Sequence, residues 1–435
     1  MFKFVCFFLR FAIILSFLAI DCLLMQILQT LFLFFTFIVI PTVGFTQVTV
    51  GIDSLFDSSY VELIKGKRIG LVTNHTAINH EGETTINCLK KNASFFEFKL
   101  QALFAPEHGL QGIQYADEIV KDSYETEIPI YSLHGSTRRP TQDSLKNLDV
   151  LIYDIQDIGS RSYTYISTLF YVMEEAAKLK IPVIVLDRPN PINGLTIDGP
   201  LLEEKWRSFV GYVNIPYCHG LTIGELASYF NGEYKINCLL KVIPMKGWKR
   251  EMTFNETGLI WIPTSPHIPE AETSLYYPIT GLLGELQLVN IGVGYTLPFK
   301  VVGAPWINAE KFAKKLNEQK FPGVRFHPFY YRPFFGRFAH QNCQGVLIIL
   351  TNPKKYLPVS TQYLLIGMLK SLYPKEFQAA LNQSSHRQEM FNKVNGTAEV
   401  FRIIKEEQYI LWKLRSLHEK ERALFMNKRA SYLLY

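Results

Sequence analysis

Four stretches of this chain carry chemically capable side chains directly after short apolar runs: Thr73-Asn74-His75, Pro106-Glu107-His108-Gly109, Asp154-Ile155-Gln156-Asp157 and Asp187-Arg188-Pro189-Asn190-Pro191. Glu107 is the sharpest candidate among them. A rigid turn between Pro106 and His108-Gly109 would hold its carboxyl at the mouth of a crevice rather than in bulk water. Partial burial disfavours the charged form of a carboxyl, which suits a general acid that must donate to a leaving oxygen. The structural alternative for Glu107 is a buried partner of an Arg or of backbone amides. His108 serves equally well as an orienting or a direct group.

Glycoside hydrolysis calls for two carboxyls, and Glu107 with Asp157 or Asp187 would supply them from neighbouring strand ends. The separation that distinguishes retention from inversion is not written in a sequence. Asp157 stands before a helix start, so capping competes with catalysis as its role. Arg161, in the first turn expected of that helix, and Arg188, on a loop stiffened by two prolines, are the cations available to an anionic substrate. An internal Asp187–Arg188 loop network is the structural alternative. Asn74, Tyr163, Asn190, His219 and His267 complete the binding candidates, although any one of them alone could merely satisfy loop backbone groups or pack on the core. His75, His108, His219 and the aspartates show no local metal-ligand spacing, and no metal is expected.

The elements that must position these residues alternate. Short β-branched runs over 68–72, 100–104, 150–153 and 183–186 are separated by helical spacing, clearest over 160–178 and beginning again at 84–89. This is the pattern of an α/β fold with a doubly wound, Rossmann-like parallel sheet, here over 48–220, in which ligands bind outside the carboxyl ends of the strands. A second, smaller α/β domain with a helical tail is expected over 221–435. It opens with a helix over 222–230 and a strand over 239–243. The irregular stretch 247–306 follows, and its segment Trp261-Ile262-Pro263-Thr264-Ser265-Pro266-His267 reads as an ordered loop over a site. A helix over 309–316, strands over 324–329 and 345–350, a helix over 361–372 and a charged helical tail from 399 complete the pattern.

Of the 435 residues 48% are hydrophobic and 19% charged, ordinary for a globular enzyme. The net charge of +6 is small and without a basic block, which argues against nucleic-acid binding. Residues 1–46 are different material: two largely apolar runs whose only basic residues are Lys3 and Arg10. They read either as a signal peptide cleaved around residues 44–47, with Met25 as an alternative start, or as an N-terminal membrane anchor. Both place the protein outside the cytoplasm, in a periplasm or secreted. Cys22 lacks a lipoprotein context. Cys88, Cys218, Cys238 and Cys343 lack metal or redox spacing and are expected as buried free thiols.

The strand-end motifs, together with Tyr163-Thr164-Tyr165-Ile166-Ser167-Thr168, Met245-Lys246-Gly247-Trp248 and Gly303-Ala304-Pro305-Trp306, resemble the exo-acting β-N-acetylmuramidases, a bacterial family first catalogued as a domain of unknown function. The ordered matches fall within residues 50–310. The resemblance implies a cleft between the two domains and release of N-acetylmuramic acid from the non-reducing ends of peptidoglycan fragments without a cofactor. Glu107 matches the family's catalytic glutamate. Where the family pattern has Glu-Gly-Thr-Asn followed by Gly-Arg-Gly, this chain has Gly284-Glu285-Leu286-Gln287 and Gly292-Val293-Gly294, so an Arg that could bind substrate is missing, and His267 stands where Asn is expected. A non-catalytic cell-wall glycan-binding protein is the rival reading.

Overall fold

The computed structural model describes Gln29 and residues 47–435 apart from 116, 117 and 126. Apart from Gln29, the signal or anchor expected over 1–46 lies outside the described residues. Among those described, no helix is long and apolar enough to cross a membrane.

Seven strands form the large sheet: β1 (Arg68–Thr73), β2 (Lys99–Ala105), β3 (Ser123–Glu125), β4 (Ile128–Ser132), β5 (Val150–Asp154), β6 (Val183–Leu186) and β7 (Leu240–Ile243). Their order is β3-β4-β2-β1-β5-β6-β7, and all neighbours are parallel except the short edge strand β3. Numbered without β3, the parallel strands run 3-2-1-4-5-6, the dinucleotide-fold order whose direction reverses between β1 and β5. The side-chain period of two sorts each strand between two cores. Leu151 and Tyr153 of β5 face one core, and Val150 and Ile152 face the other. Helices α1 (Gly51–Leu55) and α2 (Thr85–Asn92) contribute to the second core; α3 (Gln142–Leu145), α4 (Tyr165–Lys178) and α5 (Ile223–Glu233) contribute to the first. Because β7 pairs with β6, the sheet runs on to Ile243 instead of closing near residue 220.

The second sheet is antiparallel, ordered β8-β10-β9 from β8 (Val301–Ala304), β9 (Val324–Tyr331) and β10 (Cys343–Leu350). Helix α7 (Ala309–Glu318) packs on its strands β9 and β10, α8 (Pro358–Leu372) packs on α7 and on α6 (Thr273–Glu285), and the chain continues through α9 (Pro374–Gln383), α10 (Gln388–Asn395), α11 (Glu399–Glu406), α12 (Leu411–Ser416) and α13 (Glu419–Arg429). Helix α6 and strand β8 lie inside the stretch read as irregular. Pro278 lies inside α6, a residue that argues against a helix in sequence, and the buried side chains of α6 surround its axis, so no wet stripe betrays a helical period. The first core runs without a break from Phe170 on α4 to Val302 and Val346 in the second sheet, so Gln47–Tyr435 is one compact unit. The four cysteines of this unit are free and buried.

Arg161 joins the two halves. Helix α4 begins only at Tyr165, so Arg161 sits in the preceding loop, where its backbone N–H donates to Tyr217 O. Its guanidinium is fully buried without a carboxylate and donates to four carbonyls: Pro200 O (2.6 Å), Ile215 O (2.7 Å), Asn395 O (2.5 Å) and Val394 O (3.3 Å). The last two belong to the C-terminal turn of α10, whose carbonyls have no intrahelical donors and carry the negative end of the helix dipole. Gly396 ends that helix at φ +82°, and a Cβ there would come within 2.6 Å of Arg161 Nη2. Burial lowers the Arg161 pKa to about 10. The substrate-binding role expected of this residue is therefore replaced by an architectural one: every terminal guanidinium nitrogen is engaged by the protein. Arg161→Met leaves those carbonyls without donors and should cost about 3–5 kcal/mol in urea unfolding. A loss below about 1 kcal/mol would show that the two halves do not depend on it.

Candidate active site

A cavity of about 570 Å³ lies between the β2 and α4 side of the large sheet and the second-domain wall. Glu107, His108, Ser162, Tyr163 and Thr164 line the first side. Ser265, Pro266 and His267 roof it, and the end of α6, the 287–293 segment, Arg337, Arg387 and Met390 form the far side.

Glu107 occupies the second position of a turn closed by Gly109 N–H donating to Pro106 O at 3.0 Å. His108 takes φ +70° and Gly109 φ +77°, left-handed conformations that bend the chain sharply out of β2. A non-glycine residue held there carries strain that its surroundings must balance. His108 Nδ1 is fixed by Gln114 O at 2.8 Å, and its ring meets Tyr165 edge-on. The Glu107 side chain is buried, and Thr164 Oγ1 donates to its Oε2 at 2.5 Å. His134 Nε2 lies 3.7 Å from the other oxygen, Oε1. His134 follows β4, the parallel neighbour of β2, and Leu133 N–H donates to Ala105 O, so register brings the two strand ends together. Sequence reasoning missed His134 because Pro129 disguises β4. The available signal was His134-Gly135 directly after an apolar run, which repeats the His108-Gly109 step that follows Glu107.

The roof is the 261–267 loop, as expected. Tyr163 OH donates to Thr264 Oγ1 (2.9 Å), Tyr165 OH donates to Thr264 O (2.8 Å), and His75 Nε2 lies 2.6 Å from Pro263 O. His267 sits between the rings of Tyr115 and Phe335, at 6.1 and 6.2 Å.

Of the residues singled out from sequence, Glu107, His108, Tyr163 and His267 reach the cavity wall; Asn74, Asp157, Arg161, Asp187, Arg188, Asn190 and His219 do not. The protein engages each of the latter by itself. Arg188 forms a buried two-pronged pair with Asp154, at 2.5 Å from Nε and 2.9 Å from Nη2, so its fork reads a carboxylate of the fold and not of a substrate. Thr85 Oγ1 also donates to Asp154. Asp187 accepts from Thr222 Oγ1 (2.8 Å), Gly224 N (2.7 Å), Arg188 N (2.9 Å) and Tyr435 OH (2.6 Å), and so anchors the start of α5; burial raises its pKa to about 6. Asn74 Nδ2 donates to Tyr165 OH and Asn190 Nδ2 to Leu221 O. His219 accepts from Leu221 N, and burial lowers its pKa to about 3. Asp157 accepts from Gly159 N at 2.7 Å, a loop cap below the cavity.

The second carboxylate on the wall, among the described residues, is Glu285 at the end of α6, with Arg387 Nη2 3.3 Å from its Oε2. It lies in the segment where this chain departs from the family pattern. One carboxylate from each domain, Glu107 and Glu285, thus lines a common cavity.

Residues 69–272 match the model of the N-terminal domain of the exo-β-N-acetylmuramidase NamZ, and residues 275–435 match the model of its C-terminal domain. The chain belongs to this family. It is similar to the peptidoglycan β-N-acetylmuramidase NamZ of Bacillus subtilis (strain 168), with 40% identity over 393 residues, 89% of this chain and 92% of that one. Crystal structures of two DUF1343 family proteins from Bacteroides fragilis share the fold. One is 40% identical with a TM-score of 0.83, covering 89% of this chain and 99% of its own. The other is 27% identical with a TM-score of 0.64, covering 90% and 99%.

Burial lifts the Asp157 pKa from 3.8 to about 7, outweighing the stabilising backbone bonds from Gly159 and Ile158. The folded state keeps this proton to about pH 7, whereas the unfolded chain releases it near pH 4, so stability from this group falls as pH rises through that window. Asp157→Asn retains an acceptor for Gly159 without the titration. Relative to the wild type it should gain on the order of 2–4 kcal/mol in urea unfolding between about pH 4 and pH 8. Parallel pH curves for the two proteins would refute the shift.

Proposed function

We propose that this chain is an exo-acting β-N-acetylmuramidase, a glycoside hydrolase that releases N-acetylmuramic acid from the non-reducing ends of peptidoglycan fragments, with Glu107 as its general acid. The observation that carries this reading is the buried Glu107 carboxyl, oriented by Thr164 on the wall of a cavity large enough for a terminal sugar. The exo mode follows from the family to which both halves of the chain match. In the reaction Glu107 donates a proton to the glycosidic oxygen as the bond to the anomeric carbon breaks, and water supplies the hydroxyl that replaces the leaving sugar, its other proton passing to a carboxylate so that Glu107 ends the cycle protonated. Glu285 is the carboxylate available as its partner, in the place first considered for Asp157 or Asp187. The composition of residues 1–46 supports export to the outer side of the cytoplasmic membrane, where such a substrate lies; N-terminal sequencing of the mature protein tests this, and a retained unprocessed cytoplasmic chain would contradict it.

Release of a chromogenic aglycone from a β-N-acetylmuraminide tests the chemistry. Glu107→Gln should lower kcat by about 10²–10⁴-fold, with Glu285→Gln impaired in the same direction. Hydrolysis by Glu107→Gln at the wild-type rate would remove Glu107 from the mechanism, and none by the wild type would favour the glycan-binding rival.

Thr164 acts by positioning. Thr164→Val should reduce kcat about 10-fold with little change in KM, and Thr164→Ser should restore it. A change confined to KM would mean that Thr164 contacts substrate and does not orient the acid.

A further inference from the structure

A muramyl sugar differs from a plain N-acetylhexosamine by a lactyl ether that ends in a carboxylate, so an enzyme selective for it needs a cation with unspent donors in its cavity. The two arginines on the cavity wall differ in this respect. Arg387 is committed to Glu285: its Nε donates to the Glu285 backbone oxygen at 2.6 Å, and its Nη2 lies 3.3 Å from the carboxylate. Arg337 has no carboxylate partner among the described residues. Its Nε is buried without an acceptor, and its Nη2 reaches only Gln383 Oε1, at 3.4 Å. Its guanidinium rests over the Phe338 ring, 4.5 Å from the centroid.

The position of Arg337 is built rather than incidental. It lies in the connection between β9 and β10, which is tied to the 290–294 segment beneath it. Phe334 N–H donates to Gly294 O at 2.6 Å, and Asn290 Nδ2 donates to Arg337 O at 3.0 Å. A Cβ at Gly294 would stand 2.1 Å from Phe335 O, so the two backbones touch. A planar fork of N–H donors, held at a cavity wall with its charge unmatched, is suited to a carboxylate that arrives with the ligand.

We infer that Arg337 binds the lactyl carboxylate of the terminal N-acetylmuramic acid and sets the preference of this enzyme for muramyl over uncharged sugars. This rests on the muramidase reading above. The test compares hydrolysis of a chromogenic β-N-acetylmuraminide with that of its lactyl methyl ester, which removes the charge and keeps the ether, by the purified wild-type protein and by Arg337→Met. The wild type should favour the free acid by about 10- to 100-fold in kcat/KM, and Arg337→Met should bring that ratio to about 1. Arg337→Lys, which keeps the charge and loses the fork, should fall between. An unchanged ratio in Arg337→Met, or no preference in the wild type, would overturn the assignment. Should Arg337→Met act on neither glycoside, Arg337→Lys decides: a reduced ratio upholds the assignment and an unchanged one overturns it. Failure of the wild type on both substrates would instead strike the muramidase reading itself.

Discussion

The cavity depends on one buried cation. Arg161 leaves water without a carboxylate to meet it, and four carbonyl oxygens from three segments provide its solvation. Such an arrangement is tolerable only where the dipoles are already aimed, and the C-terminal turn of α10 with Gly396 aims two of them. Two walls are thereby fixed at once. On one side Arg161 precedes Ser162-Tyr163-Thr164, and Thr164 holds Glu107. On the other, the anchored end of α10 carries Met390 and Val394 to the far wall.

The carboxyl ends of the parallel strands divide into sealed and open sets. At β1, β5 and β6 the polar residues are used up internally: Asn74 on Tyr165, Asp154 on Arg188, and Asp187 beneath α5 and Tyr435. A buried charge pair costs desolvation, and the two-pronged geometry of Asp154–Arg188 with the added Thr85 donor offsets it. The ends of β2 and β4 remain on the cavity side, one carrying Glu107 and the other His134. The cavity is thus displaced from the point between β1 and β5 where strand order reverses. The 261–267 loop, pinned by Thr264 to two tyrosines, accounts for the shift by covering the strand ends nearest that point.

Much of this was legible in the residues themselves. The β-branched runs of β1, β2, β5 and β6 announced a parallel sheet, and the turn after β2 marked Glu107. The roles of the other charged residues were not legible, for a definite reason. Whether Arg161 or Arg188 faces a ligand depends on which acceptors the fold brings to it, and those of Arg161 include carbonyls 233 and 234 residues away. Local spacing carries no such information. Proline hid two elements, β4 through Pro129 and α6 through Pro278, and with them His134 and Glu285. The departure over 284–294 was visible, but that this segment supports a loop carrying Arg337 follows only from the packing of Gly294 against Phe335.

The central claim is that saccharide hydrolysis takes place between these two walls, with the Glu107 side chain at the scissile bond. A crystal structure of Glu107→Gln soaked with a disaccharide bearing N-acetylmuramic acid at its non-reducing end is the decisive measurement. The muramyl ring should lie inside the cavity beneath His267, with its glycosidic oxygen within hydrogen-bond reach of the residue 107 side chain. A disaccharide seated away from that wall, or bound with its glycosidic oxygen out of reach of residue 107, would contradict it.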